Sequence, residues 1–267
     1  MPDPGKRDHG VAAAIALYYD LDVSDEYEDV EMYLALAAAS DGPILELACG
    51  SGRICVPLAA AGHRVTGVDL DPAMLDRAQS RWAAHDRGAG GGSLDLIEAD
   101  MTTVALTERF GLVILAFNGM FVLSDRSAQE QAMQTIATHL APSGRAVIDV
   151  WLPAPDDLVL YDGRLVNDWV RENPETGNQV AKMTSARYSP ATGMATLDTF
   201  FDEWRQTETP HRTHRRDELN FVTAGELLAL GERSGLEAQI VAGDYDMTQL
   251  TTHSDRLVLV ARRAGGL

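Results

Sequence analysis

Cysteine is nearly absent: the chain holds two, Cys49 and Cys55, six positions apart around a glycine-rich loop. That excludes a disulfide framework, and a metal site would want more ligands. Both read as small apolar residues in a reducing compartment. Positive charge is also scarce, with 22 Lys and Arg against 40 Asp and Glu and a formal net charge of −18. The balance argues against nucleic-acid partners, whose phosphates need Lys and Arg to replace counterions. It gives no sign of a membrane partner. The acidity does not identify a cationic substrate, since solubility alone accounts for it. No apolar run is long enough to span a membrane. Residues 11–19, behind Lys6 and Arg7, are too short an apolar core for a signal peptide and run into Tyr-Tyr-Asp-Leu-Asp. A cytoplasmic protein is expected.

The most informative stretch is residues 44–71, ILELACGSGRICVPLAAAGHRVTGVDLD. An apolar run carrying Glu46 enters a small-residue loop, Ala48-Cys49-Gly50-Ser51-Gly52. A helical segment follows, then a second apolar run ending in Asp69. Strand, glycine loop, helix, strand and acid make the nucleotide-binding half of a doubly wound α/β sheet. Gly50 and Gly52 allow a tight turn and close approach to a ligand. The amides opening the next helix favour a negative group. Asp69, about 20 residues beyond the loop, can accept both hydroxyls of an adenosine ribose.

The rest of the chain extends this pattern. Helices are expected at 11–19 and 26–40, then from Asp71-Pro72 to about 85, with Asp71 as N-cap rather than ligand. Residues 88–92 read as a glycine-rich surface loop. Strands follow at 94–99 and 111–117, a helix to Leu140, a turn at Pro142-Ser143-Gly144 and a fifth strand at 145–151. Alternation of this kind implies a parallel sheet covered on both faces. Residues 179–188, 194–205 and 211–221 then resemble three antiparallel strands. Thr223 to Glu226 is a capping box opening another helix. Strands at 237–242 and 256–262 close the fold, joined by a hairpin-like link. There is no internal repeat.

These residues resemble the class I S-adenosylmethionine (SAM) dependent methyltransferases over about residues 15–262. The similarity is strongest in ILELACGSGR, VTGVDLDPAMLDRAQ, LIEADM, FGLVILAFNGMFVL, HLAPSGRAVIDVW and SDRLVLVARR. Glycine and amino-sugar N-methyltransferases are the most similar branch. The resemblance implies a Rossmann-like seven-stranded sheet over residues 41–152 and 222–267. An N-terminal helical lid segment would occupy 1–40, and an antiparallel β insertion after strand five would occupy 153–221. It implies SAM as cofactor. Glu46, Ala48, Gly50 and Arg53 would surround its methionine part, and Asp69 its ribose. Leu70 and Met74 would pack on the adenine, with Asp100 and the amide of Met101 on its edge. Asn118 would sit near the methionine amino group, and Tyr19, of the Tyr18-Tyr19-Asp20 segment, would close over the cofactor. Ala48 stands where the family's first loop glycine would be, harmless unless a positive φ is required. Asp100 and Asn118 also have plain turn-forming readings, and Tyr33 fits an ordinary buried helix stripe.

The acceptor is expected to be a small amine- or hydroxyl-bearing metabolite, nitrogen preferred over oxygen. His211 and His214 are the candidate bases for a hydroxyl acceptor, set against a reading as charges on a solvated strand. Trp151, Arg187, Phe201 and Tyr245 are the candidate acceptor contacts. The insertion would wall the acceptor pocket or make a homodimer contact. One competitor is a nicotinamide-dependent oxidoreductase, although the third glycine of its fingerprint is missing after Gly52. Another is a SAM-binding protein without transferase activity.

Overall fold

The computed structural model describes residues 9–25, 28–85, 91–206 and 208–265. In chain order the elements begin with α1 (His9–Asp22), α2 (Glu28–Ala38), β1 (Ile44–Leu47), α3 (Cys55–Ala60), β2 (Arg64–Asp69) and α4 (Pro72–Ala84). Next come β3 (Ser93–Glu98), β4 (Phe110–Leu115), α5 (Arg126–His139), β5 (Leu140–Trp151) and α6 (Pro155–Val159). The chain continues with β6 (Asp162–Glu172), β7 (Gln179–Ser189), β8 (Met194–Trp204), β9 (His211–Asn220), α7 (Ala224–Arg233), β10 (Leu236–Ala242) and β11 (Arg256–Arg263). Two units result: residues 28–152 with 222–265, and residues 9–25 with Pro153–Phe221. Thus α2 belongs with the first and α1 with the second. Most of the loop expected at 88–92 lies outside the described residues.

The first unit is a seven-stranded sheet in the order β10-β11-β5-β4-β1-β2-β3. β1 to β5 are parallel, while β11 runs antiparallel to both β5 and β10. This is the doubly wound, Rossmann-like fold with a reversed terminal strand. β4 is apolar and buried at every position, as a central parallel strand must be. The connection from β1 runs to β2 on one side, and that from the adjacent β4 runs to β5 on the other. A crevice therefore opens at the carboxyl ends of β1 and β4, where such sheets bind ligands. The helix starts follow local chemistry: Asp125 caps α5 through Ala128 N, and Thr223 with Glu226 closes a capping box on α7. Pro142-Ser143-Gly144 is not a turn before β5 but part of it. Pairing steps from Phe110↔Leu140 to Leu112↔Arg145, so the extra residues are absorbed as a bulge.

The second unit is a four-stranded antiparallel sheet, β6-β7-β8-β9, with α1 packed on one face. The sequence pattern predicts three of these strands; β6 is an edge strand, largely exposed, and lacks the buried alternation that marks the others. Tyr18, Leu21, Val180 and Phe201 form its core, with Trp169 against them. Asp22, at the end of α1, accepts from Trp169 Nε1 at 2.8 Å and Lys182 Nζ at 2.6 Å. Tyr18 donates to Glu203 at 2.8 Å, and burial, reinforced by that carboxylate, pushes its phenol up to about 12. Among the described residues no helix is long and apolar enough to cross a membrane.

Candidate functional site

β1 runs into Ala48-Cys49-Gly50-Ser51-Gly52, and the backbone turns left-handed at Ala48 (φ 54°), Gly50 (φ 54°) and Gly52 (φ 81°). Glycine adopts this conformation freely, but at Ala48 it costs about 1–2 kcal/mol. The loop thus does require a positive φ where glycine has been replaced. At Gly52 a Cβ would come within 2.9 Å of Val56 Cγ2 and 3.0 Å of Ala78 Cβ, so only glycine lets the loop pack this closely on α4.

Asp69, at the end of β2, ties this loop to its own strand. Its Oδ2 accepts Gly50 N at 2.8 Å and its Oδ1 accepts Asp71 N at 2.9 Å. Each oxygen keeps lone-pair capacity for a further donor. Burial raises its pKa from the ordinary aspartate value. Asp71 caps α4 as expected, accepting from Ala73 N at 2.9 Å. Beside them Leu70 is 54% exposed, a large apolar side chain left to solvent next to a polar one. Met74 and Met101 are half-buried.

Glu46 lies within β1 at 3% exposure, and its Oε2 has no hydrogen-bond partner among the described residues. Burial, with the neighbouring Cys55, holds its carboxyl well above the usual range. An acceptor left unmatched in this way costs about 1–3 kcal/mol, which a cationic donor would recover. Arg53, expected at the same end, makes a bidentate pair with Asp29 of α2, both contacts at 2.6 Å and both side chains buried. Its guanidinium also stacks on the Phe117 ring, 4.5 Å from the centroid.

Asp100 is exposed and uses Oδ1 to accept from the amide and hydroxyl of Thr102, at 2.8 and 2.7 Å. Asn118 accepts from Trp151 N at 2.6 Å, so its side-chain oxygen holds the end of β5. Asp100 thus performs the local turn role that its sequence context allowed, whereas Asn118 ties the end of β4 to the end of β5.

A buried polar cluster that the sequence pattern does not reveal adjoins Phe117. Asp149, fully buried on β5, accepts from Tyr33 OH at 2.5 Å and Phe117 N at 2.8 Å through Oδ1. Its Oδ2 accepts from Arg256 Nη1 at 2.7 Å and Tyr245 OH at 3.3 Å. Burial still pushes the Asp149 carboxyl up, and the Tyr33 phenol is raised strongly by its own burial. The available signal was a lone acid in the apolar run AVIDVW of β5.

Of the acceptor candidates, Tyr245 joins this cluster and Trp151 is half-buried at the end of β5. The others lie in the second unit. Phe201 is 4% exposed, stacked on Tyr18 at 4.7 Å, a core residue there rather than an open contact. Arg187 is exposed, over Gly163. His211 is exposed; His214 bonds Asp198 at 2.8 Å and stacks on Phe200. Arg216 shares Asp198, and together Arg216 and His214 lower that carboxyl to about 2. Tyr19 is half-buried on α1, beside the buried Tyr18.

The carboxyl ends of β1 and β2 fit a SAM molecule. The orphaned Glu46 oxygen suits its ammonium, Asp69 its ribose hydroxyls, Leu70 its adenine face, and the glycine loop gives close backbone access. The comparisons agree with this geometry. Residues 44–144 match the methyltransferase domain family. The cypemycin N-terminal methyltransferase of a Streptomyces species is 25% identical over 221 residues, 82% of each chain. The chain carries a class I SAM-dependent methyltransferase domain. Solved structures share its fold. A SAM-dependent methyltransferase from Clostridium acetobutylicum superimposes with TM-score 0.77 at 16% identity, covering 94% of this chain and 98% of its own. The sugar N-methyltransferase KedS8 from a Streptoalloteichus species gives 0.72 at 22% identity, covering 92% of both. These likenesses support a SAM-dependent methyltransferase over the nicotinamide-dependent alternative.

Proposed function

We propose that this methyltransferase acts on a small-molecule acceptor, with nitrogen preferred over oxygen. Bound at the crevice, SAM supplies an electrophilic methyl on a sulfonium. The chain's own task is then to align and to exclude water, because proximity and orientation provide most of the acceleration. Glu46, Asp69 and the glycine loop would fix the cofactor. An amine acceptor needs only to arrive unprotonated, whereas a hydroxyl needs a base.

The observation that carries the preference concerns those bases. His214 is engaged by Asp198 and Phe200 in an exposed ladder of ion pairs, and His211 is exposed on the same strand. The relatives support it: one is named for methylating the N-terminus of cypemycin, another is a sugar N-methyltransferase. A tritiated-methyl transfer screen over small amines and hydroxyl compounds tests the reading. For an amine acceptor, His211→Ala and His214→Ala should leave turnover at high pH within a few-fold of the parent. Collapse of turnover in either variant, with folding and SAM affinity intact, would point to base-assisted O-methylation, where a positioned base contributes about 10²–10⁴-fold.

A further inference from the structure

Immediately after β4, Phe117 (φ 50°) and Asn118 (φ 65°) are consecutive left-handed residues, neither of them glycine. Such backbone persists only where its surroundings over-determine it. The elbow forms one lip of the crevice at the carboxyl ends of β1 and β4, facing the loop that starts at Ala48 on the other. Asp149 and its partners hold it. Asp149 Oδ1 accepts Phe117 N at 2.8 Å, and Asp149 O accepts Asn118 N at 3.3 Å. Tyr33, wholly buried, donates to the same Oδ1, and Arg256 fixes Oδ2.

We propose that Asp149 is a positioning residue for cofactor binding, locking the Phe117–Asn118 elbow through the Phe117 amide while Tyr33 and Arg256 hold its carboxylate in place. The proposal rests on the reading of the crevice as the SAM site. It separates two consequences of mutation. Binding should follow the acceptor offered to Phe117 N; stability should follow the charge offered to Arg256. Asp149→Asn keeps an oxygen for Phe117 and Tyr33 but leaves Arg256 unneutralised. Asp149→Ala removes both.

Calorimetric titration with S-adenosylhomocysteine, beside thermal unfolding, tests this. The Asn variant should lose stability yet bind within about threefold of the parent, while the Ala variant should bind about tenfold more weakly, the scale of one hydrogen bond to a charged group. Parental affinity in folded Asp149→Ala, or equal loss in both variants, would overturn the proposal. If neither variant folds, Tyr33→Phe removes only one hydroxyl from the lock. Hydrogen exchange at the amides of Phe117 and Asn118 should then quicken while Gly50 and Gly52 stay as in the parent, and unchanged exchange at the elbow would refute the lock. A parent chain that does not bind S-adenosylhomocysteine would instead refute the cofactor reading, and the exchange measurement would still judge the lock.

Discussion

At the scale of single residues, the cofactor edge is a set of small departures from comfort. Ala48 is strained, so Ala48→Gly should raise stability by about 0.5–1 kcal/mol, the left-handed strain relieved less the entropy glycine adds to the unfolded chain. Chemical denaturation reads this directly. Glu46 has a folded pKa raised by burial above its unfolded value near 4.5. It keeps its proton longer when folded, so its contribution is fully present below the unfolded pKa and is lost as pH rises through the folded one. Glu46→Gln should flatten that decline in cofactor-free protein, seen in melts from mildly acidic to alkaline pH. It should also weaken S-adenosylhomocysteine binding about tenfold or more, as loss of a charged partner does. A variant with the parent's pH slope and affinity would show that Glu46 is not an ammonium site. The left-handed glycine loop and the acid at the end of β2 were legible because glycine spacing and a strand-end Asp69 are local signals. Asp149 was not, because its partners come from α2, from the end of β4 and from β11, and only the fold assembles them.

At the scale of elements, legibility follows the strength of the pattern. The central parallel strands β1 and β4 read correctly because they are buried at every position, and α4 and α7 because their caps are written in the sequence. β6 was missed since an exposed edge strand has no buried face to reveal it. The bulge in β5 was read as a turn because Pro-Ser-Gly favours both. Phe201 shows the same limit: an aromatic on an insertion strand suggests a ligand wall, yet here it is the centre of a small core beneath α1. Phe201→Ala should therefore cost about 3–5 kcal/mol of stability, as large-to-small core substitutions do. Thermal unfolding and S-adenosylhomocysteine titration of the variant would check it. Undiminished stability would place the side chain outside the core.

At the scale of the whole molecule, the doubly wound sheet and the methyltransferase relatives support one claim: that the carboxyl edge of β1 and β2 binds SAM. Asp69→Ala should weaken cofactor binding by about 1.5–3 kcal/mol, the range for a hydrogen bond to a charged group. Asp71→Ala should instead cost about 1 kcal/mol of stability as a lost N-cap, with little change in affinity. The most direct test of the claim is calorimetric titration of the parent and Asp69→Ala proteins with S-adenosylhomocysteine and with NAD. Saturable micromolar-range binding of S-adenosylhomocysteine to the parent, clear weakening in Asp69→Ala and far weaker NAD binding are expected. Saturable NAD binding with no response to S-adenosylhomocysteine, or full affinity in folded Asp69→Ala, would contradict the claim.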